Sequence, residues 1–222
     1  MNENNFQAMR DAMIDGQLRP SGVNDRDIVR AMASVPREEF VPETRASVAY
    51  ADRSVPLGNG RFLAPPVALG RLLTVAEPQR SDTVLIVGAG TGYSAMVMAH
   101  LTGPVTALES DTDLLAAARP RLAGGAFSDL SAVQLVEGDL TGGYAANGPY
   151  DLILIDGAVE TVPEALAAQL ADGGRLICGL AEDGLTRLAV ARKRGGVVRP
   201  VPFEDNEVPV LPGFARAKAF RF

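Results

Sequence analysis

One histidine, one cysteine and no tryptophan leave this 222-residue chain few of the groups on which reactive sites are usually built. His100 and Cys178 stand alone, which excludes the clustered ligands of ordinary metal sites. It also removes any intrachain disulfide and argues against a Cys/His or Ser/His nucleophile pair. No apolar run approaches the ~20 residues that span a bilayer. The start, Met1-Asn2-Glu3-Asn4-Asn5, lacks the basic and apolar stretches of a secretory signal. Basic charge is short as well: 21 Lys and Arg face 27 Asp and Glu, a net charge of −6. A general nucleic-acid binder needs the opposite balance. Arg187, Arg192, Lys193, Arg194 and Arg199 could still make a local basic patch. The expectation is a cytoplasmic protein with no nucleic-acid and no membrane partner and no metal, its chemistry borrowed from a cofactor.

What is present is a core. At 47% apolar and 22% charged residues, the composition is that of a folded chain. A length near 200 buries roughly 70–75% of the surface its unfolded form exposes and needs no staple. Residues 1–66 read as a helical addition with a loop, and 67–222 as an α/β unit. Phe6, Met9, Met13 and Ile14 share one helical face, with Asn5 as N-cap, and Gly16 and Pro20-Ser21-Gly22 end that stretch. A second helix is predicted at 25–33, capped by Asn24. The stretch 54–66, dense in Gly and Pro, reads as a loop without period lying on or across a surface. From Val67 onward helices (67–75, 94–101, 113–122, 163–170) alternate with strands (83–87, 105–108, 133–136, 152–155, 175–179). The helix expected between the third and fourth strands is short or distorted. Strands at 185–192, 197–202 and 217–222 follow without crossover helices. The fold class is therefore α/β, a doubly wound Rossmann-like parallel sheet with an antiparallel C-terminal edge.

Gly88-Ala89-Gly90-Thr91-Gly92 joins the first long strand to a helix. Glycines there let a ligand approach the backbone, and N–H groups at the helix start favour an electronegative group; a plain tight turn reads the same way. Glu109 follows about 20 residues later at the end of the next strand, where an acid accepts from both ribose hydroxyls. The dinucleotide fingerprint requires a third glycine where this chain has Tyr93. That favours S-adenosylmethionine, which carries no phosphate, with an NAD-type cofactor as the runner-up. Glu137-Gly138-Asp139 either accepts from the adenine amino group or is an ordinary Gly-Asp turn. Asp156, at the carboxyl end of the fourth strand, either faces ligand or caps a loop.

The chain resembles the protein-L-isoaspartate O-methyltransferases from about residue 13 to 213. Gln17-Leu18-Arg19, Val35-Pro36-Arg37-Glu38-Glu39-Phe40-Val41-Pro42, Ala49-Tyr50-Ala51-Asp52 and Pro56-Leu57-Gly58-Asn59-Gly60 carry the likeness. So do the 88–93 turn, Glu109, Gly138-Asp139 and Gly173-Gly174-Arg175-Leu176. The Val-Pro-Arg-Glu-x-Phe-Val-Pro string is the most specific, because generic cofactor binding requires nothing like it. The resemblance implies a class I methyltransferase fold and methyl transfer from S-adenosylmethionine to the carboxylate of isoaspartyl residues in damaged proteins. The ester would then collapse to a succinimide. It assigns the cofactor to Gly88, Ala89, Gly90, Tyr93, Glu109, Gly138, Asp139 and Leu140, and the protein or peptide carboxylate substrate to Arg61, Phe62, Leu63 and Ala64.

Three positions depart from the family pattern. Phe62 and Ala64 stand where the family places a threonine and a serine, so the substrate loop lacks both hydroxyls, including the one at the catalytic position Ala64. Each lost hydrogen bond to a charged group costs on the order of 1.5–3 kcal/mol. Arg61 either pairs with a carboxylate in compensation or is a solvated loop charge. Ile86 replaces an acid that in the family contacts the methionine end of the cofactor. A carboxylate nucleophile is already ionised near neutral pH, so alignment is the main requirement. A hydroxyl or amine acceptor would want a base, and Asp156 is the candidate. A methyltransferase with another substrate, or a non-catalytic cofactor-binding module, are the competing readings. A monomer is expected. His100 is read as a helix-end residue, Cys178 as core, and Asp52 as a family residue or a loop hydrogen-bonder.

Overall fold

Residues 3–123 and 133–215 are described by the computed structural model. Helix α1 (Glu3–Met13) runs on into a π-helical turn, Ile14–Leu18, so Gly16 does not break it and Asn5 lies inside the helix. The wider turn keeps Met13, Ile14 and Leu18 on one buried face. Helix α2 (Arg26–Ser34) is capped by Asp25, not Asn24: Asp25 Oδ1 accepts from Asp27 N at 2.9 Å and Ile28 N at 3.0 Å. Such a cap contributes about 1 kcal/mol.

The stretch expected to be an irregular loop forms a hairpin, β1 (Val55–Gly58) and β2 (Arg61–Leu63). Asn59 (φ 49°) and Gly60 (φ 72°) make its turn. Asn-Gly with both residues left-handed is the tight connection whose twist matches paired strands. Helix α3 (Pro66–Ala76) follows, its Val67 N–H donating to Asp52 Oδ1 at 3.2 Å, so Asp52 does act as a loop hydrogen-bonder.

Five strands then alternate with helices: β3 (Val84–Val87), α4 (Tyr93–Ala99), β4 (Val105–Glu109), α5 (Thr112–Ala123), β5 (Val133–Glu137), β6 (Tyr150–Val159), α6 (Glu164–Gln169) and β7 (Leu170–Glu182). Between β5 and β6 there is only a 3₁₀ turn, Ala145–Asn147. Pro163 precedes α6 in an extended conformation rather than occupying its first turn. The chain returns antiparallel through β8 (Leu185–Arg192) and β9 (Val201–Asp205). The strand expected at 197–202 begins later, because Gly195-Gly196 forms a turn bridged by Arg194 and Val197. The strand expected at 217–222 lies outside the described residues.

The sheet order is β5-β4-β3-β6-β7-β8-β9, with β5 to β7 parallel. Along β3, Val84 and Ile86 join one core layer with residues of α1 to α4, while Leu85 and Val87 join a second with Leu166 of α6. Cys178 is in that second layer, where burial pushes its thiol up to about 12. The connections leave β3 and β6 in opposite directions, so their carboxyl ends frame the crevice where ligands bind in open α/β sheets. Among the described residues, no helix is long and apolar enough to cross a membrane.

Candidate functional site

At the end of β3 the chain turns through Gly88 (φ 81°) and Gly90 (φ 57°), conformations that side chains resist. A Cβ on Gly88 would lie 2.9 Å from Arg61 Nη2, and one on Gly90 would lie 3.1 Å from Leu57 Cδ1. The N–H groups of this turn are committed within the chain. Gly88 N and Ala89 N donate to Leu108 O at 2.9 and 3.0 Å, and Gly90 N donates to Glu109 Oε2 at 2.7 Å. A pyrophosphate would find none of these three donors free, which argues against the dinucleotide alternative and leaves room for a phosphate-free adenosine.

Glu109 is 0% exposed. Its Oε1 accepts from Arg61 Nη1 at 2.5 Å, Ser110 N at 2.8 Å and Asp111 N at 3.0 Å. Arg61, only 4% exposed, also donates through Nη2 to Gly88 O at 2.9 Å, and its Nε is buried without a partner among the described residues. The reading of Arg61 as a solvated loop charge is therefore overturned: the β1–β2 pairing turns its side chain inward onto the end of β4. A second tie runs from Asn59 Nδ2 to Asp111 Oδ2 at 2.8 Å. Asp111 also caps α5, and its carboxyl sits below the usual range because it accepts the Leu114 N–H and the Asn59 amide.

The other expected cofactor residues divide. Gly138 adjoins Glu109, its N–H donating to Glu109 O at 3.1 Å. Asp139 is exposed and forms the turn that was its alternative reading, accepting from Thr141 Oγ1 at 2.7 Å and Gly142 N at 2.9 Å. The Thr141 hydroxyl bond holds its carboxyl below the ordinary value. Leu140 is buried in the second core layer. Tyr93 is fully buried, edge-on to Phe40 with ring centroids 5.6 Å apart and with the Arg37 guanidinium 4.8 Å above its ring. Ile86 packs in the first core layer.

On the substrate side, Leu63 is core, while Phe62 is 37% exposed at the mouth of a small cleft. Arg61, Phe62, Ala64, Asp156 and Leu211 help line that cleft, whose cavity volume is only about 10 Å³. Typical ligand pockets hold roughly 300–1,000 Å³, so the cleft is nearly closed. Residues 208–214 were not anticipated as part of the site. Leu211 N donates to Ala158 O at 2.9 Å and Ala158 N to Pro209 O at 2.8 Å, which lays Leu211 across the end of β6. A Cβ on Gly157 would lie 2.4 Å from Leu211 Cγ, so the Asp156-Gly157 pair, visible in the sequence, was the available signal of a close crossing.

Arg37 was recognised only as part of a motif. It is 0% exposed, and it donates through Nε to Ala49 O at 2.5 Å and through Nη2 to Ala64 O, anchoring the loop at Ala64. Burial lowers its pKa, opposed chiefly by Tyr93. His100 Nε2 lies 3.3 Å from Ser34 Oγ, on the face away from the sheet's crevice, and burial lowers its pKa. The suggested basic patch is partly engaged: Arg187 pairs with Glu182 at 2.5 Å and Lys193 Nζ donates to the Leu170 carbonyl at 2.6 Å.

Asp156 retains some solvent contact, yet burial pushes its carboxyl upward; Ser94, Arg61 and Arg37 oppose that shift and Glu109 adds to it. A raised folded-state pKa means that the native state holds the proton more tightly than the unfolded one. Stability is then fully present below the unfolded value of about 3.9 and falls as pH rises through the folded value. Asp156→Asn is accordingly expected to melt above the wild type at about pH 8, with the gap closing toward pH 4. Thermal melts across that range check it, and a wild type that melts higher at pH 8 contradicts it.

The family model for protein-L-isoaspartate(D-aspartate) O-methyltransferase matches residues 8–205. A protein-L-isoaspartate O-methyltransferase of Koribacter versatilis is 37% identical over 207 residues, covering 93% of this chain and 92% of the relative. One from Methylorubrum populi is 37% identical over 216 residues, covering 95% and 98%. Among solved structures, a protein-L-isoaspartate O-methyltransferase superposes with a TM-score of 0.78 at 24% identity, covering 92% of this chain and 66% of that one. A Plasmodium falciparum chain, provisionally described as a protein-L-isoaspartate O-methyltransferase and bound to S-adenosyl-L-homocysteine, gives 0.75 at 21% identity, covering 91% and 97%. With the helix-to-loop string around Arg37, the glycine turn and the buried Glu109 all in place, the chain belongs to the protein-L-isoaspartate(D-aspartate) O-methyltransferase family.

Proposed function

We propose that this protein is an S-adenosylmethionine-dependent methyltransferase that esterifies the carboxylate of isoaspartyl residues in damaged proteins. The observation that carries the reading is the Glu109 carboxylate, held by Gly90 N, Ser110 N and Asp111 N at the switch point of the sheet. Membership of the family supplies the reaction class.

The cofactor contributes a methyl group activated on a sulfonium. Glu109 would accept from the ribose hydroxyls, and the Gly88–Gly90 turn would bring backbone without side chains of its own to the cofactor. Gly138 and Asp139, just past β5 with the Gly138 N–H on Glu109 O, would hold the adenine side. Phe62 and Ala64 face the acceptor; neither brings a hydroxyl, so orientation there rests on shape and on nearby cations. A carboxylate acceptor needs no base. Asp156 is therefore not required to move a proton, and its place beside Arg61 and Ala64 makes it a boundary of the acceptor site.

The test is transfer of labelled methyl groups to an isoaspartyl peptide, with the aspartyl isomer as control. Selective labelling of the isoaspartyl form is the expected result. Background counts from protein that binds S-adenosylhomocysteine in calorimetry would refute the substrate assignment.

A further inference from the structure

The buried Arg61–Glu109 pair conflicts with the job just given to Glu109. Oε1 already accepts three donors and Oε2 one, which leaves a single lone pair on Oε2, so the two hydroxyls of a ribose cannot both be accepted until a donor leaves. Three of the four are backbone N–H groups fixed by the turn and by the start of α5. Arg61 is the only donor on a side chain. It sits on a two-stranded hairpin attached to this region through Asn59–Asp111, through its own bonds, and through Leu57 over Gly90. Removing the guanidinium from Glu109 and Gly88 O strands a cation among Phe62, Ala64 and Asp156, which share its cleft. A guanidinium there is matched in shape and charge to a carboxylate.

We propose that Arg61 is a substrate-carboxylate residue parked on Glu109: it closes the cofactor cradle when the site is empty and turns to the acceptor's carboxylate once ribose takes Glu109. The inference rests on the methyltransferase reading above. Cofactor binding and substrate binding are thereby coupled, the first releasing the cation that the second requires. The coupling is reciprocal, so an isoaspartyl peptide tightens cofactor binding. A parked Arg61 also reduces cofactor affinity in proportion to how rarely the open form is populated.

Three proteins decide it: wild type, Arg61→Gln and Arg61→Lys. Calorimetry with S-adenosylhomocysteine and steady-state methylation of an isoaspartyl peptide are run on each. R61Q is expected to bind S-adenosylhomocysteine ~10-fold more tightly, the gain from a cradle open rather than ~90% closed. Its peptide KM rises ~10-fold or more with kcat within a few-fold, because the charged contact is made on binding. R61K keeps the cation but not the fork, so its cofactor affinity also rises while its KM rises less than that of R61Q. R61K also keeps the test alive if R61Q does not fold. Unchanged or weaker cofactor binding in both variants overturns the parking. Tighter cofactor binding with an unchanged peptide KM overturns the substrate role. A wild type that neither binds S-adenosylhomocysteine nor labels the peptide refutes the methyltransferase reading instead.

Discussion

Glu109→Gln is expected to weaken S-adenosylhomocysteine binding by about a hundredfold or more and to lower the melting temperature of the free protein by about 10 °C. The substitution preserves shape and removes only charge and acceptor capacity. Four N–H donors converge on this carboxylate, from Arg61, Gly90, Ser110 and Asp111. An amide has one acceptor oxygen, and its NH2 must face at least one of those donors. The amide leaves a buried N–H donor unsatisfied, about 1–3 kcal/mol, and removes the partner that favours Arg61's parked position by about 1.4 kcal/mol, a total of about 2–4 kcal/mol. For a chain of this size each kcal/mol moves the melting point by roughly 2–4 °C. The binding loss follows from two ribose hydroxyls donating to a carboxylate, about 1.5–3 kcal/mol each. Thermal melts and calorimetry measure the two effects separately. An E109Q protein that binds S-adenosylhomocysteine within threefold of wild type removes Glu109 from the cofactor site.

The place of Glu109 was legible in the sequence because local rules set it: an apolar run makes a strand, and the acid that ends the run stands at the strand's carboxyl end. The glycine turn was legible for the same reason. What those rules could not convey was who else reaches the same point. Arg61 is 48 residues away and arrives through a hairpin whose Asn59-Gly60 turn was a readable signal, masked by the prolines and glycines around it. The turn's N–H groups were expected to await a ligand, but Leu108 O, on the neighbouring strand, accepts two of them. Residues 208–214 carry no motif; only the close packing of Leu211 on Gly157 shows why that segment crosses the site. Resemblance assigned Tyr93 and Leu140 to the cofactor, and each is buried, Leu140 among strand residues and Tyr93 against Arg37 and Phe40. Local pattern predicts the cradle, and only tertiary packing shows what covers it.

The same distinction explains Arg37, in the most specific string of the sequence, and gives the second large expected effect. Arg37→Met is expected to lower the melting temperature by about 10 °C and to reduce kcat/KM for an isoaspartyl peptide by about a hundredfold. Methionine keeps the length and apolar stem but leaves a buried carbonyl, Ala49 O, and a part-buried one, Ala64 O, without their donor. Each orphaned group costs about 1–3 kcal/mol. The loss of the guanidinium over the Tyr93 ring adds up to about 2 kcal/mol at a desolvated site. Relief of burying a charge, visible in the lowered Arg37 pKa, works the other way, so a net loss of about 3–5 kcal/mol is the balance of these terms. The activity effect has a separate cause. Ala64 O is one end of the bridge, so losing Arg37 frees the loop that faces the acceptor, and a 1 Å misplacement alone can cost about a hundredfold in rate. Phe40, three residues on, reinforces the link by accepting the Thr91 hydroxyl at 2.5 Å, tying the same segment to the glycine turn. Arg37→Lys keeps the charge but cannot reach both carbonyls with fixed geometry, so it should recover part of the stability and less of the activity. If R37M melts within about 2 °C of wild type, the arginine is not what holds the helical addition, the acceptor loop and α4 together.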